Sequence, residues 1–409
     1  MSILRYGADS TLKLDIEPAA LLAECHAPRG VAVADPAAVV SAALADPLDF
    51  PPLRRAVIPG DRVVLALEPE LPQAPALVSS VISTLLEAGA AAADICVLQS
   101  RGGHSVTADS LRFRLPAECT EKIDFVGHDP RDRGQLSYLA ANEDGEPIYV
   151  NRRLFDADVV LPIGCLRLAT TPDYFGINAA VYPTFSDAAT LDRFRATVAA
   201  CEPNGIARRR HEANDVAWRL GIMLTVQIVP AAAGGVLHVL AGSLESVERR
   251  GSELCKSAWD FEVPRRADLI VAAIEGVDQQ TWENFGRAVA AASRAVADDG
   301  AIAICTELDT EPGPALEWLG RARDLPDALR HIRRQHTADA PAAHELAQAL
   351  KRGRVYLMSR LDESVVENLG MAPVAVEADI GRLARRYRSC VLLANAQYAQ
   401  PTPLEESSK

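Results

Sequence analysis

The sequence predicts an α/β protein of two domains, each a Rossmann-like α/β sheet sandwich, with the site in the interdomain cleft. Length is the first reason: 409 residues exceed what one core usually organises, and an apolar share of 49% can fill two. A strand–helix–strand pattern, present once near residue 62 and again after residue 264, is the second. The third is Asp158-Val159-Val160-Leu161-Pro162-Ile163-Gly164, a buried strand that runs straight into a loop, where α/β proteins place their chemistry.

The first unit opens with the β-branched run Arg62 to Leu67. A helix from Ala76 to Ala88 follows, closed by Gly89, and then a strand from Asp94 to Leu98. The apolar stretch from Gly221 to Gly242 is broken by Gln227, Pro230, Gly234-Gly235 and His238, so it reads as two strands and a turn rather than a membrane helix. After Pro264-Arg265-Arg266 come a strand Leu269 to Ala273, a helix Thr281 to Ala297, a turn at Asp298-Asp299-Gly300 and a strand Ala301 to Cys305. Helices near Ala342 to Leu350, Glu363 to Leu369 and Ile380 to Tyr387 alternate with strands Val355 to Met358 and Cys390 to Leu393. These boundaries give a first domain of residues 1–263, a second of 264–395 and a flexible tail of 396–409.

Composition removes several function classes. The 42 basic and 55 acidic groups leave a net charge of −13, opposite to what a nucleic-acid or anionic-membrane surface selects. A small-molecule carboxylate is the expected partner. Only five basic residues are lysines (Lys13, Lys122, Lys256, Lys351, Lys409), so positive charge rests on arginine, which suits bidentate oxyanion contacts. The eight cysteines are scattered, several inside apolar runs, with no Cys-x-x-Cys pair, and read as reduced core residues. The first residues lack the basic and apolar blocks of a signal peptide, which leads to the expectation of a cytoplasmic protein.

Three stretches taken together resemble the nickel-dependent lactate racemases, over residues 3 to 400. Gly60-Asp61-Arg62-Val63-Val64-Leu65 with Arg101-Gly102-Gly103-His104 is similar to that family's first strand and glycine-histidine loop. Ala157 to Gly164, leading into Tyr174-Phe175-Gly176-Ile177-Asn178-Ala179 and Pro183, resembles its glycine-rich lysine loop. Ala267-Asp268-Leu269-Ile270-Val271 with Asp278, Trp282 and Gly300 resembles the opening of its C-terminal domain. The resemblance implies hydride exchange between a substrate carbon and a nickel pincer nucleotide tethered to a lysine, with histidines as metal ligand and acid-base pair and an arginine gripping the carboxylate.

The residues at those positions are different here. Pro69 and Pro72 stand at the substrate-gripping aspartate and arginine, Ala169 at the second acid-base histidine, Ala179 at the tethering lysine and Arg195 at the nickel histidine. Alanine has no nucleophile or proton to offer, and a guanidinium has no lone pair for a metal. His211, the nearest alternative metal ligand, sits in a solvated helical pattern. In Trp282-Glu283-Asn284-Phe285-Gly286, glutamate and glycine replace the family's glutamine and lysine. The family thus implies a divergent member with no cofactor-binding or metal residue.

Two readings follow. As an enzyme, the chain would be a 2-hydroxy acid isomerase working without nickel, with His104 as acid-base, Asp173 or Glu283 as second base, and Arg101, Gly102, Gly103, Arg167, Arg195 and Trp282 around the substrate. As a binding or scaffold protein it would keep the fold and have lost the chemistry. Retention of full nickel-dependent racemase activity requires side-chain atoms that the matched positions lack.

Overall fold

A computed structural model describes residues 1–26, 28–101, 106–199, 205–334 and 336–404. Two six-stranded sheets organise the chain. The first runs Val236–Gly242, Thr225–Pro230, Val159–Cys165, Val63–Leu67, Ile95–Ser100, Asp124–His128, parallel except for its edge strand Val236–Gly242. Its central strands are buried on both faces, the environment that an unbroken apolar run such as Val63-Val64-Leu65-Ala66-Leu67 requires. Helix Ala74–Glu87 covers one face; Pro75 starts it and Gly89, at φ +94°, reverses the chain after it.

The second sheet runs Ala372–Pro373, Arg354–Met358, Val296–Cys305, Ala267–Ala273, Cys390–Leu393, Leu21–Cys25, and is parallel throughout. Helices Trp282–Ala295 and Ala340–Arg352 pack on one face. The other is closed by the N-terminal hairpin of Ser2–Tyr6 and Ser10–Leu14, whose Leu4, Leu12 and Leu14 are buried against Leu269 and Val271. The chain therefore begins in the second sheet and crosses into the first, unlike the expected first domain of residues 1–263. Parallel pairing of Leu21–Cys25 with Cys390–Leu393 joins the two ends of the chain.

The expected flexible tail of 396–409 is also corrected over its described part. Ala396, Tyr398 and Ala399 are buried, and Gln400–Pro403 pairs in parallel with Asp260–Val263. Ring packing of Tyr398 on Trp259, with centroids 5.3 Å apart, explains the order: burying two aromatics outweighs the entropy of a short terminal segment. Among the described residues all seven cysteines are free and six are buried; Cys201 lies outside them. No helix of the described residues is long and apolar enough to cross a membrane.

Helices Trp282–Ala295 and Ala340–Arg352 approach closely at Gly286, where an added Cβ would come within 2.8 Å of the Ala342 Cα. The atom in the way is backbone, which cannot rotate aside. Gly286→Ala is expected to cost about 1–3 kcal/mol and lower the melting midpoint; an unchanged midpoint by differential scanning calorimetry would contradict the close packing.

Candidate active site

The carboxyl ends of both sheets face one another, and their loops make the cleft. Glu68-Pro69-Glu70 leaves strand Val63–Leu67, Leu166 to Tyr174 leaves Val159–Cys165, and Glu275 to Gln279 leaves Ala267–Ala273. Such loop clusters are the usual binding site of open α/β sheets. At the centre is a cavity of about 240 Å³ lined by Pro69, Tyr174, Ala179, Pro183, Glu283 and Arg287 among others. Positions that the family resemblance singled out in three separate stretches of sequence thus share one cavity.

Two guanidinium groups set its electrostatics, and both are already engaged. Arg167 donates through Nη1 to Glu68 Oε1 at 2.5 Å and to the Cys165 carbonyl at 3.2 Å, while Glu68 Oε2 accepts the Cys165 amide at 2.6 Å. Burial opposes the Arg167 charge, but the Glu68 carboxylate overrides it and holds the pKa well above the ordinary arginine value. Arg287 donates from Nε and Nη2 to the two Asp173 oxygens at 3.1 and 2.8 Å, and from Nη1 to Asn284 Oδ1 at 2.8 Å. Glu70 lies 3.9 Å from the same Nη1. Asp173 and Glu70, on two loops of the first sheet, both sit at positive φ, 62° and 59°. Burial raises the Glu70 pKa, with Glu283 adding to the rise and Arg287 opposing it.

The expected site residues fall into four groups. Asp173, Glu283 and Arg167 line the central cavity. Asp173 is no available base, because a bidentate guanidinium occupies both its oxygens. Arg167 is charge-paired with Glu68 through Nη1, while its buried Nε has no hydrogen-bond partner. Arg101 is exposed and pairs with Asp129 at 2.9 Å, next to the outer strand Asp124–His128, and does not line the central cavity. Trp282, 6% exposed, packs edge-on to Phe285 and donates its indole N–H to the Thr310 and Glu311 carbonyls at 2.9 and 3.1 Å. An apolar indole with a satisfied N–H belongs to the core.

Arg195 lies half-buried on helix Ala188–Ala199; burial lowers its pKa, against the pull of Asp192, Glu283 and Asp339. His104, Gly102 and Gly103 lie outside the described residues; the flanking Val106 lines a second cavity of about 450 Å³ with Pro72, Gln73 and Gly276. Sequence reasoning missed Arg287, Glu68 and Glu70. The signal for Arg287 was a single charge beside the apolar run Ala288-Val289-Ala290-Ala291-Ala292, which a buried helix keeps only with a partner.

Residues 6–203 match the family model of the lactate racemase N-terminal domain. The chain is lactate racemase-like. Across its whole length this lactate racemase-like fold resembles the lactate racemase apoprotein of Thermoanaerobacterium thermosaccharolyticum, at 17% identity and TM-score 0.78, covering 98% of this chain and 99% of that one. A protein of Thermotoga maritima aligns at 13% identity and TM-score 0.64, over 89% of this chain and 96% of its own. At these identities the likeness is one of fold. No curated protein matches the chain.

Four carboxylates, Glu68, Glu70, Asp173 and Glu283, line the central cavity of this lactate racemase-like protein against two guanidiniums, Arg167 and Arg287. Among the described residues, an incoming anion finds no unengaged cation there. Among the same residues no group of three His, Cys, Asp or Glu side chains could hold a metal ion.

Arg287→Leu would leave Asp173 and Glu70 buried without their counter-ion, and is expected to destabilise the fold by about 3–5 kcal/mol, with part of the loss restored by Asp173→Asn. Chemical denaturation of the single and double variants measures this, and additive losses would disprove the coupling. A second expectation concerns pH. Burial pushes the Glu345 carboxyl from its ordinary value of 4.5 up to about 7, with Asp173 adding to the rise. Arg266, Arg287, Arg294 and Arg352 line the same pocket. A raised carboxyl holds its proton more tightly in the folded chain, so stability is lost as pH rises from about 4.5 through about 7. Glu345→Gln should flatten that slope in melting temperature against pH; an identical slope would rule the assignment out.

Proposed function

We propose that this chain is a cytoplasmic ligand-binding member of the lactate racemase-like family that does not carry the tethered nickel pincer nucleotide and does not racemise lactate. One observation carries the reading: both cationic side chains of the central cavity are neutralised by the chain's own carboxylates. Asp173 meets Arg287 through two parallel hydrogen bonds, the geometry in which a substrate carboxylate would otherwise be held.

The family's cofactor fits poorly. Ala179 brings only a methyl to the cavity wall, no lysine lines it among the described residues, and about 240 Å³ falls below the roughly 300–1,000 Å³ usual for small-molecule sites. Gly286, where the family has a lysine, is closed off by Ala342. In the isomerase alternative, with a 2-hydroxy acid between two bases, Asp173 is engaged by Arg287, which leaves Glu283 on the cavity wall as the second base. Seven free cysteines accord with a reducing compartment.

The test is intact-mass spectrometry and nickel analysis of protein produced in a nickel-supplied host that makes the family's cofactor, together with an assay of lactate enantiomer exchange. The expected result is the mass of the bare chain, no stoichiometric nickel and no exchange. A nucleotide adduct on the chain with one nickel per chain would overturn the proposal.

A further inference from the structure

We propose that a second pocket of the cleft, on the far side of Arg287 from the central cavity, binds a phosphorylated sugar or polyol. This deepens the binding half of the reading above and rests on it. The pocket has a volume of about 560 Å³, within the range usual for small-molecule sites. Loop Thr170-Thr171-Pro172 forms one wall, the carboxyl-terminal half of helix Trp282–Ala295 another, and strand Gln400–Pro403 a third. It thus lies between the two sheets and requires both.

Its charge is the reverse of the chain's. The whole molecule carries −13, yet Arg266, Arg287, Arg294 and Arg352 line this pocket against one carboxyl among the described residues, Glu345. Arg287 is held by Asp173, which leaves three further guanidiniums on the wall of a concave space. Arg352 donates through Nη1 to the Ser293 carbonyl at 2.6 Å and Arg266 through Nη1 to the Val296 carbonyl at 3.0 Å. These bonds cap the helix end, and they also fix two guanidiniums side by side. Arg352 has five N–H donors, which this one capping bond does not exhaust, and the exposed Arg294 lines the same pocket. A phosphate dianion, with three acceptor oxygens, matches such an array better than a single carboxylate does.

Two buried polar atoms then specify the rest of the ligand. Gln397 is 1% exposed; its amide N–H donates to the Glu275 carbonyl at 3.2 Å, and its Oε1 has no hydrogen-bond partner. The Ser293 hydroxyl, also on the pocket wall, is buried without a partner. An orphaned carbonyl oxygen is unfavourable and can only accept. A ligand that completes this pocket therefore brings an anion to the arginines and a hydroxyl to Gln397. Inorganic phosphate supplies only the first. The wall residues between these points are small, Ala290, Ala291, Ala396 and Ala399, and no aromatic ring of the described residues lines the pocket, so a planar base would find nothing to stack on. A hydroxylated carbon chain fits where a nucleobase does not.

Calorimetric titration of the full chain with ribose 5-phosphate, and with inorganic phosphate, ribose and gluconate for comparison, tests the assignment. Saturable binding of ribose 5-phosphate is expected, tighter than phosphate or gluconate, with none for ribose. Arg294→Ala and Arg352→Ala should each weaken it about tenfold, the effect of losing one charge-assisted hydrogen bond. Arg294 is exposed, so its variant keeps the test valid if the helix-capping Arg352 variant folds poorly. Arg219→Ala, whose residue pairs with Asp215 at 2.7 Å, should leave binding unchanged. Absence of saturable binding, equal affinity in the Arg294 variant, or tighter binding of gluconate would overturn the proposal. None of these outcomes bears on the mass and nickel result, which tests the tether separately.

Discussion

The two sheets meet through Arg287. Its side chain is 12% exposed and reaches from a helix of the second sheet to Asp173 on a loop of the first, with Asn284 accepting from Nη1 and the Glu70 carboxylate 3.9 Å from that nitrogen. A buried charge of this kind is tolerable only when its donors are matched, because desolvation costs several kcal/mol per ion. The match is made across the cleft, so the relative position of the two sheets and the neutrality of the cleft are one requirement. Every other feature of the site follows from where this side chain lies: an acid-rich cavity on one side of it and an arginine-rich pocket on the other.

The acid-rich side limits what the central cavity can hold. A site for a 2-hydroxy acid must strip favourable hydration from the substrate carboxylate and replace it with fixed donors. Here the fixed donors of Arg167 and Arg287 point at Glu68 and Asp173. Displacing either internal carboxylate would leave it buried and unpaired, a penalty larger than one new hydrogen bond to the substrate would offset. The raised pKa of Glu70 reports the same crowding, since a fourth carboxylate in the cavity is easier to accommodate neutral.

Legibility in the sequence followed periodicity and range. The central strands were readable because parallel strands buried on both faces need continuous apolar runs: Cys390 to Leu393 matches residue for residue, and Arg62 to Leu67 and Leu269 to Ala273 match to within two residues. Leu21–Cys25 was not readable, because its half-buried pattern gives no clear alternation and its partner lies more than 360 residues away. The strand Gln400–Pro403 carries two prolines, which argue against a strand in isolation; it is tolerated because it lies in a two-stranded ribbon, where one edge needs no donors. At the site, Asp173 and Arg167 line the central cavity, whereas Arg101 pairs with Asp129 and Trp282 packs at the start of a helix, placements that residue type alone does not reveal.

The 17% identity to a lactate racemase apoprotein at TM-score 0.78 separates two kinds of constraint. Cores accept wide substitution as long as volume and pattern are kept, so the sheets persist while their residues change. A covalent tether and a metal ligand accept none, since each depends on one atom in one place. Ala179 and Glu283 lie in the cavity wall, and the Arg287–Asp173 salt bridge borders the same cavity. With that salt bridge in place, the other cations between the sheets stand further out, at the carboxyl end of helix Trp282–Ala295, where carbonyl oxygens hold Arg266 and Arg352. Helix ends with unpaired carbonyls attract arginine whatever the function. What a cap alone does not account for is a third arginine beside them and a buried glutamine whose oxygen is left without a donor.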